Sequence, residues 1–310
     1  MIVFRNIEDI KDIEPCALAL GTFDGVHLGH QKLIGAAVER AGELGIKAGV
    51  FTFSNHPRDL LPNAKPVKNI LYSHEKEEIL AGIGVDYLFD VPFTKEIMGM
   101  DPESYVSELL VGRCNAKVLA CGTDHRFGYR AQGNPDLLRR LGEKLGFEAL
   151  IIEKLEIEGN EVSSSLIRTL IASGRVDRCK TYMGRNYEIA GDVVVGNRLG
   201  RKLGFPTSNL LIDPEMVTPP NGVYATICNW NGKAYKSVTN VGVKPTVGDN
   251  VKNVETHIFD FDKELYGKRI VVEFLMKMRD EVKFDSVEEL SEQIVRDCRE
   301  ARAFHEGLKD

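Results

Sequence analysis

Two histidines three residues apart, His27 and His30, close the run GTFDGVHLGH, Gly21 to His30. An apolar stretch, Ala17 to Leu20, precedes the run, and Gln31 to Leu44 follows with Leu33, Ile34, Ala37 and Val38 on one helical face. This pattern places the run where a strand hands over to a helix. Its glycines permit a tight turn and close approach of the backbone to a ligand. Free N–H groups at the helix start favour an anion such as a triphosphate, and residues at i and i+3 share a face. Two imidazoles directed at one anion can stabilise charge that develops on a phosphate during transfer. The alternatives are packed histidines or a zinc site, but no third ligand stands at a suitable spacing for zinc.

A second constellation lies in GNRLGRKLGFPTSNL, Gly196 to Leu210. It is not a Walker A loop, because Gly196 and Gly200 are too close and no GK[ST] follows. It brings glycines, Arg201 and Lys202 to a turn and then sets Thr207 and Asn209 two apart. In an extended segment that spacing puts both side chains on one face. Hydroxyl and amide oxygens suit a hard cation such as Mg²⁺ that also holds phosphates. Without other information the same residues read first as a polar β-turn. Two smaller groups complete the inventory. Ser164, Ser165 and Arg168 stand at a helix start, able to hold pyrophosphate oxygens or simply to cap the helix. Asp124 and Arg126 follow an apolar run, either in a site or in a surface turn.

The elements that must carry these groups differ between the halves. Up to about residue 180, short apolar runs at Ala17–Leu20, Gly49–Phe53, Tyr87–Phe89, Val118–Cys121 and Ala149–Ile152 alternate with helical patterns. Those helices are predicted at Gln31–Leu44, from a Ser73 cap to Leu80, from Asp101 to Val111, and over Pro135–Leu145. The alternation predicts an α/β fold with a parallel, doubly wound sheet, whose ligands gather at the carboxyl ends of the strands. From Gly184 onward, β-branched residues alternate with polar ones, and Asn231-Gly232 is a hairpin signal. A small antiparallel β-barrel or sandwich is expected there. A final helix over Val287–His305 should pack against it through Leu290, Ile294, Val295, Cys298 and Ala301. The boundary is placed between residues 182 and 183.

Composition narrows the function classes. The chain has 310 residues, 43% hydrophobic and 28% charged, with a formal net charge of -6. That is a globular balance with room for two cores. Neither half is basic, with 22 basic against 26 acidic residues up to Tyr182 and 18 against 20 beyond it. A nucleic-acid or anionic membrane partner is therefore not expected. The amino terminus has acidic residues where a secretory signal has basic ones, and no apolar run approaches the roughly 20 residues of a membrane helix. Six scattered cysteines without CxxC spacing fit reduced thiols of a soluble cytoplasmic protein.

Several segments together carry a resemblance. GTFDGVHLGH, TFSNHP (Thr52 to Pro57), GTDHRFGYRAQGN (Gly122 to Asn134) and VSSSLIR (Val162 to Arg168) resemble, in order, the adenylyltransferase motifs of bacterial bifunctional riboflavin kinase/FMN adenylyltransferases. PTSN resembles the PTAN motif of the kinase half of that family. PPNGVYA, NVGVKPTVG, VETHIFDFDKELYGK and MRDEVKFDS follow in the expected order. The resemblance implies a Rossmann-like nucleotidyltransferase domain over residues 1–182 and a riboflavin kinase barrel with a terminal helix over 183–310. It implies ATP contacts at Gly21, Phe23, Asp24, Gly25, His27, His30, Asp124, Ser164, Ser165 and Arg168, and FMN contacts at Phe53, Asn55 and Pro57. In the kinase half it implies ATP contacts at Gly196, Gly200, Arg201, Lys202, Gly204, Thr207 and Asn209. Mg²⁺ would sit on Thr207 and Asn209, and Glu255, Arg279 and Glu281 would border riboflavin. Glu255 takes the role of base, since a primary alcohol is a weak nucleophile that a positioned carboxylate can deprotonate.

This sequence departs from the pattern at His125, where the family usually has an aromatic residue, and at Asn55, where proline is common. Leu166 replaces a frequent basic residue and Ser165 a threonine. The implied function is phosphorylation of riboflavin to FMN with ATP, then adenylylation of FMN to FAD with release of pyrophosphate. An alternative keeps only the adenylyltransferase active, with the barrel as a flavin-binding or regulatory module. A further one transfers a nucleotide to a different phosphorylated acceptor. No protein partner is indicated.

Overall fold

The computed structural model describes residues 1–60, 66–196, 200, 203–246 and 249–308. Contacts divide the chain into two compact units, Met1–Ser164 and Ser165–Asp310.

In the first unit, β1 (Ile2–Phe4), β2 (Cys16–Leu20), α1 (Leu28–Leu44), β3 (Lys47–Phe53), α2 (Ser73–Ile83) and β4 (Tyr87–Val91) come first. Then follow α3 (Lys95–Gly99), α4 (Pro102–Ser104), a π-helical stretch Tyr105–Arg113, β5 (Ala116–Gly122), α5 (Pro135–Leu145) and β6 (Glu148–Ile152). A small hairpin of β7 (Glu156–Ile157) and β8 (Asn160–Glu161) precedes α6 (Ser164–Ala172). The main sheet has the order β1-β4-β3-β2-β5-β6 and every pairing is parallel. The doubly wound expectation therefore holds, and β2 is a wholly buried strand. Leu18 and Leu20 face one apolar layer with Phe51, Phe89 and Leu110, while Ala19 faces another with Val50, Leu88 and Ile34. Strands covered on both faces read as continuous apolar runs for this reason. Chain order runs outward in opposite directions from β2, so the crevice between the carboxyl ends of β2 and β5 is the topological switch point.

Two local expectations are corrected. Ser73 is the first helical residue of α2 and not its cap; the Glu75 carboxylate accepts from the Tyr72 N–H just before it. Asp101 does cap a helix, accepting from Glu103 N and Ser104 N, but after one turn the helix widens into the π-helical stretch.

The second unit contains the rest of α6, α7 (Cys179–Met183), β9 (Tyr187–Asp192), β10 (Ser208–Leu211), β11 (Gly222–Trp230), β12 (Lys233–Thr246), β13 (Asp249–Ile258), β14 (Arg269–Asp280) and α8 (Val287–Gly307). Its sheet order is β10-β13-β12-β11-β14-β9, antiparallel throughout. A bridge from Val194 N to Asn209 O, 2.9 Å, joins the chain after β9 to β10 and nearly closes a barrel. Asn231 and Gly232, at φ 51° and 73°, form the two-residue turn between β11 and β12 that their types foretell. Buried Thr226, Ser237, Thr239 and Thr256 share hydroxyl hydrogen bonds of 2.7–3.0 Å. On the other face of these strands, α8 packs Cys298, Ala301 and Ile294 against Val223, Val238 and Phe259. Val295 is the exception to the predicted stripe: at 41% exposure it points away from the sheet.

Candidate functional sites

At the switch point the chain leaves β2 through a strained turn. Phe23, Gly25 and Val26 have φ of 48°, 82° and 34°, and Phe23 and Val26 are fully buried. Left-handed backbone at two non-glycine residues is costly and persists only where the surroundings enforce it. Here the Asp24 carboxylate accepts from Ile70 N at 2.9 Å and from Leu71 N at 3.4 Å, and Ser164 Oγ donates to Asp24 O at 2.9 Å. A Cβ added at Gly21 would lie 2.9 Å from the Phe23 ring. Asp24 thus anchors the loop through its carboxylate.

His27 is the N-cap of α1: its Nδ1 accepts from His30 N at 3.2 Å, which leaves the ring proton of a neutral imidazole on Nε2. The two imidazoles stack with centroids 3.5 Å apart, so the structure brings the predicted pair together. Asp124 follows β5 across the crevice and pairs with Lys154 at 2.9 Å; Lys154 also reaches Glu161. Ser165 and Arg168 lie in the opening turns of α6, beyond the point where the units divide.

Phe53, at the end of β3, lines two hollows. The smaller, about 50 Å³, includes Thr22, Asp24, Asn55, Ser73 and Lys76. The larger, about 390 Å³, is walled by Phe53, Pro57, Phe93, Tyr105, Phe127 and His125. Asn55 closes on the backbone of Phe93, donating from Nδ2 to its oxygen and accepting from its nitrogen at 2.7 Å. Its amide is therefore a loop clamp. Burial lowers His125 to about 4, so the imidazole is neutral in this apolar wall.

In the second unit, strand register assembles the site. Glu255 on β13 stands directly opposite Asn209 on β10 and Asn240 on β12. Asn209 Nδ2 lies 3.4 Å from Thr207 Oγ1, so these two do share a face. Thr207 and Asn209 line a hollow of about 60 Å³ with Gly196, Phe261, Lys263 and Tyr266. Thr207 also belongs to a cavity of about 310 Å³ bounded by Glu255, Asn240, His257, Arg279 and Glu281, with α8 residues opposite. Gly196 passes so close to Asn209 that an added Cβ would meet its amide at 2.7 Å. Gly200 borders the larger cavity, and Gly204, at φ 88°, turns the chain into Phe205. Arg201 and Lys202 lie outside the described residues.

The cavity wall is held by polar ties. Arg279 donates to both carboxylate oxygens of Asp297 on α8, at 2.8 and 2.6 Å, and that bond raises its pKa. Glu281 accepts from Asn221 at 2.9 Å. His257 Nδ1 is 2.9 Å from Pro206 O, and burial lowers its pKa although that carbonyl favours the charged ring. Sequence reasoning passed over Asn240, Asn253 and His257, although alternation from Glu255 puts Asn253 and His257 on its face of β13. It also missed Phe93, from the loop after β4, and Tyr105, at the start of the π-helical stretch.

Comparison with known proteins decides the family. A family model described as FAD synthetase matches residues 9–166, and one described as riboflavin kinase matches residues 183–305. The bifunctional riboflavin kinase/FMN adenylyltransferase of Bacillus subtilis is 35% identical over 94% of this chain and 93% of its own length. The chain belongs to the bifunctional riboflavin kinase/FMN adenylyltransferase family. Another such enzyme, from Haemophilus influenzae, is 32% identical over 98% of this chain and 99% of its own. A solved chain described as a macrolide-efflux protein from Streptococcus pneumoniae superposes with a TM-score of 0.89 at 30% identity, covering 97% of this chain and 98% of that one. Among the described residues of this family member, no helix is long and apolar enough to cross a membrane.

Proposed function

We propose that the two activities of this family are divided between the two sites described above. The domain over residues 183–310 phosphorylates riboflavin with ATP to give FMN. The domain over residues 1–182 adenylylates FMN with a second ATP, giving FAD and pyrophosphate. The observation that carries the reading is the meeting of two cavities at Thr207, with Glu255 on the wall of the larger. The larger takes the flavin, and the smaller takes the nucleotide.

Phosphoryl transfer rests on positioning and charge stabilisation. Glu255 removes the proton of the ribityl 5′-hydroxyl as that oxygen attacks the γ-phosphorus and the bond to the β-phosphate oxygen breaks, releasing ADP. Thr207 and Asn209 offer only neutral oxygens. Such a set suits a divalent cation that arrives with the nucleotide, Mg²⁺ in this proposal, and fits poorly with a cation held by protein alone. When bound, the cation neutralises charge on the phosphates. Arg279 and Glu281 shape the flavin wall.

In the adenylyltransferase the attacking FMN phosphate is already ionised, and no base is needed. His27, oriented by its cap bond, presents Nε2–H towards the α-phosphate, with His30 stacked behind it. Ser164, tied to the Asp24 backbone, takes the pyrophosphate leaving group, and Asp124 helps place the nucleotide. Phe53 and Pro57 bound the flavin ring. The protein is assigned to the cytoplasm, where both substrates and reduced thiols are found. Chromatography of the products from riboflavin and MgATP tests the reading: FMN should appear first and FAD after it. Flavin left unchanged would refute it.

A further inference from the structure

Asn253 on β13 is almost fully buried, at 2% exposure, and belongs to none of the motifs that mark the kinase site. Its Nδ2 donates to Glu255 Oε1 at 2.8 Å and to Asn209 Oδ1 at 3.1 Å. These oxygens belong to the proposed base and to a proposed cation ligand. The orientation of the amide is fixed by chemistry. A flipped amide would set its oxygen against two acceptors, whereas the observed one places both donor hydrogens within reach of them. The remaining oxygen, Oδ1, is buried and has no protein partner among the described residues. A buried carbonyl without a protein partner calls for an explanation beyond packing. Across the ladder on β12 stands Gly242, with no side chain to compete for the position.

We infer that Asn253 is a positioning residue for the kinase reaction, one amide group that fixes the Glu255 carboxylate and the Asn209 side-chain oxygen relative to each other. The inference rests on the assignment of Glu255 as base and Asn209 as ligand. A shared donor of this kind couples proton removal to nucleotide placement, since neither oxygen can rotate without losing a bond to the other's anchor. Groups that orient such residues commonly matter tenfold to a hundredfold without touching the substrate.

Two full-length variants separate orientation from packing. Asn253→Asp keeps the shape but exchanges the amide donors for a carboxyl group that repels Glu255 or shares a proton with it, and Asn253→Ala removes both shape and donors. Each should lower kcat for FMN formation by roughly 10- to 100-fold, with the riboflavin KM within about twofold of the parent. Riboflavin binding and conversion of FMN to FAD should persist in both. In a Glu255→Gln background, Asn253→Ala should cost less than about threefold more, because its partner is already disabled. Parent-like kcat in Asn253→Asp would overturn the inference, as would loss of riboflavin binding in both variants, which marks a structural role. Full FMN formation by Glu255→Gln alone would instead overturn the assignment beneath it.

Discussion

The two sites are built by opposite means. In the first unit the proposed ligand groups lie where parallel strands end, and the geometry comes from loops: a strained turn at Phe23 to Val26, a histidine cap, and clamps by Asp24 and Asn55. In the second unit Glu255 sits inside a hydrogen-bonded ladder, flanked in register by Asn209 and Asn240. The difference follows the chemistry proposed for each. An ionised FMN phosphate needs only its leaving group and charge accommodated, which backbone N–H groups at a helix start can do. A neutral alcohol needs a base held at a fixed distance and angle, and a strand interior holds a side chain more rigidly than a loop.

Substitutions that disable one site should leave the other untouched, and the largest effect is expected at Glu255. Glu255→Gln should lower FMN formation by about 10²–10⁴-fold, the usual worth of a general base, while FMN is still converted to FAD. Next comes His27→Asn. Asparagine is a good N-cap, so α1 should keep its stability, yet adenylylation should fall by about 10²–10³-fold as a donor to the transition state is lost. Single-turnover assays with each flavin would check both. A thermal transition lowered in step with the activity would mean that His27 serves only as a cap.

Smaller effects probe the frames. Asp297→Ala strips the partner from Arg279 in the cavity wall and should cost the second unit about 2–3 kcal/mol, given that Arg279 is partly exposed. Urea unfolding followed by the signal of the single tryptophan, Trp230, would show it. His125 titrates near 4 in the folded chain against about 6.5 when free, so between those values the unfolded chain binds more protons. Its contribution to stability is complete above about pH 6.5 and is lost as pH falls towards 4. His125→Phe should flatten the acid side of the stability profile of the first unit, and unchanged urea midpoints from about pH 7 to about pH 5 would refute this. Least of all, Val295→Glu on the exposed side of α8 should change stability by no more than about 0.5 kcal/mol.

That last residue marks the reach of sequence reading. Period located β2 to β6 and the longer helices, because burial on both faces of β2 to β5 leaves continuous apolar runs, and Asn231-Gly232 announces its own turn, whereas the short elements α3, α7, β7 and β8 carry no such pattern. The three-residue strand β1 is too short to carry a period, and Val295 shares the apolar character of the stripe without its angle. The histidine pair and the Thr207–Asn209 spacing were legible because both are local. The Asp24 carboxylate and the Asn55 amide also hold Ile70 and Phe93, loops whose approach no local pattern encodes. Asn253 was the reverse: two residues from Glu255 and on its face, it was readable by alternation alone.

The central claim is that two independent sites act in sequence, and complementation tests it most directly. Riboflavin and MgATP are supplied to Glu255→Gln, to His27→Asn, and to an equal mixture of the two chains, with flavins separated over time. The account predicts unchanged riboflavin from the first, FMN that goes no further from the second, and FAD from the mixture. FMN accumulating with Glu255→Gln, or FAD forming with His27→Asn, at a rate near the parent's would contradict it.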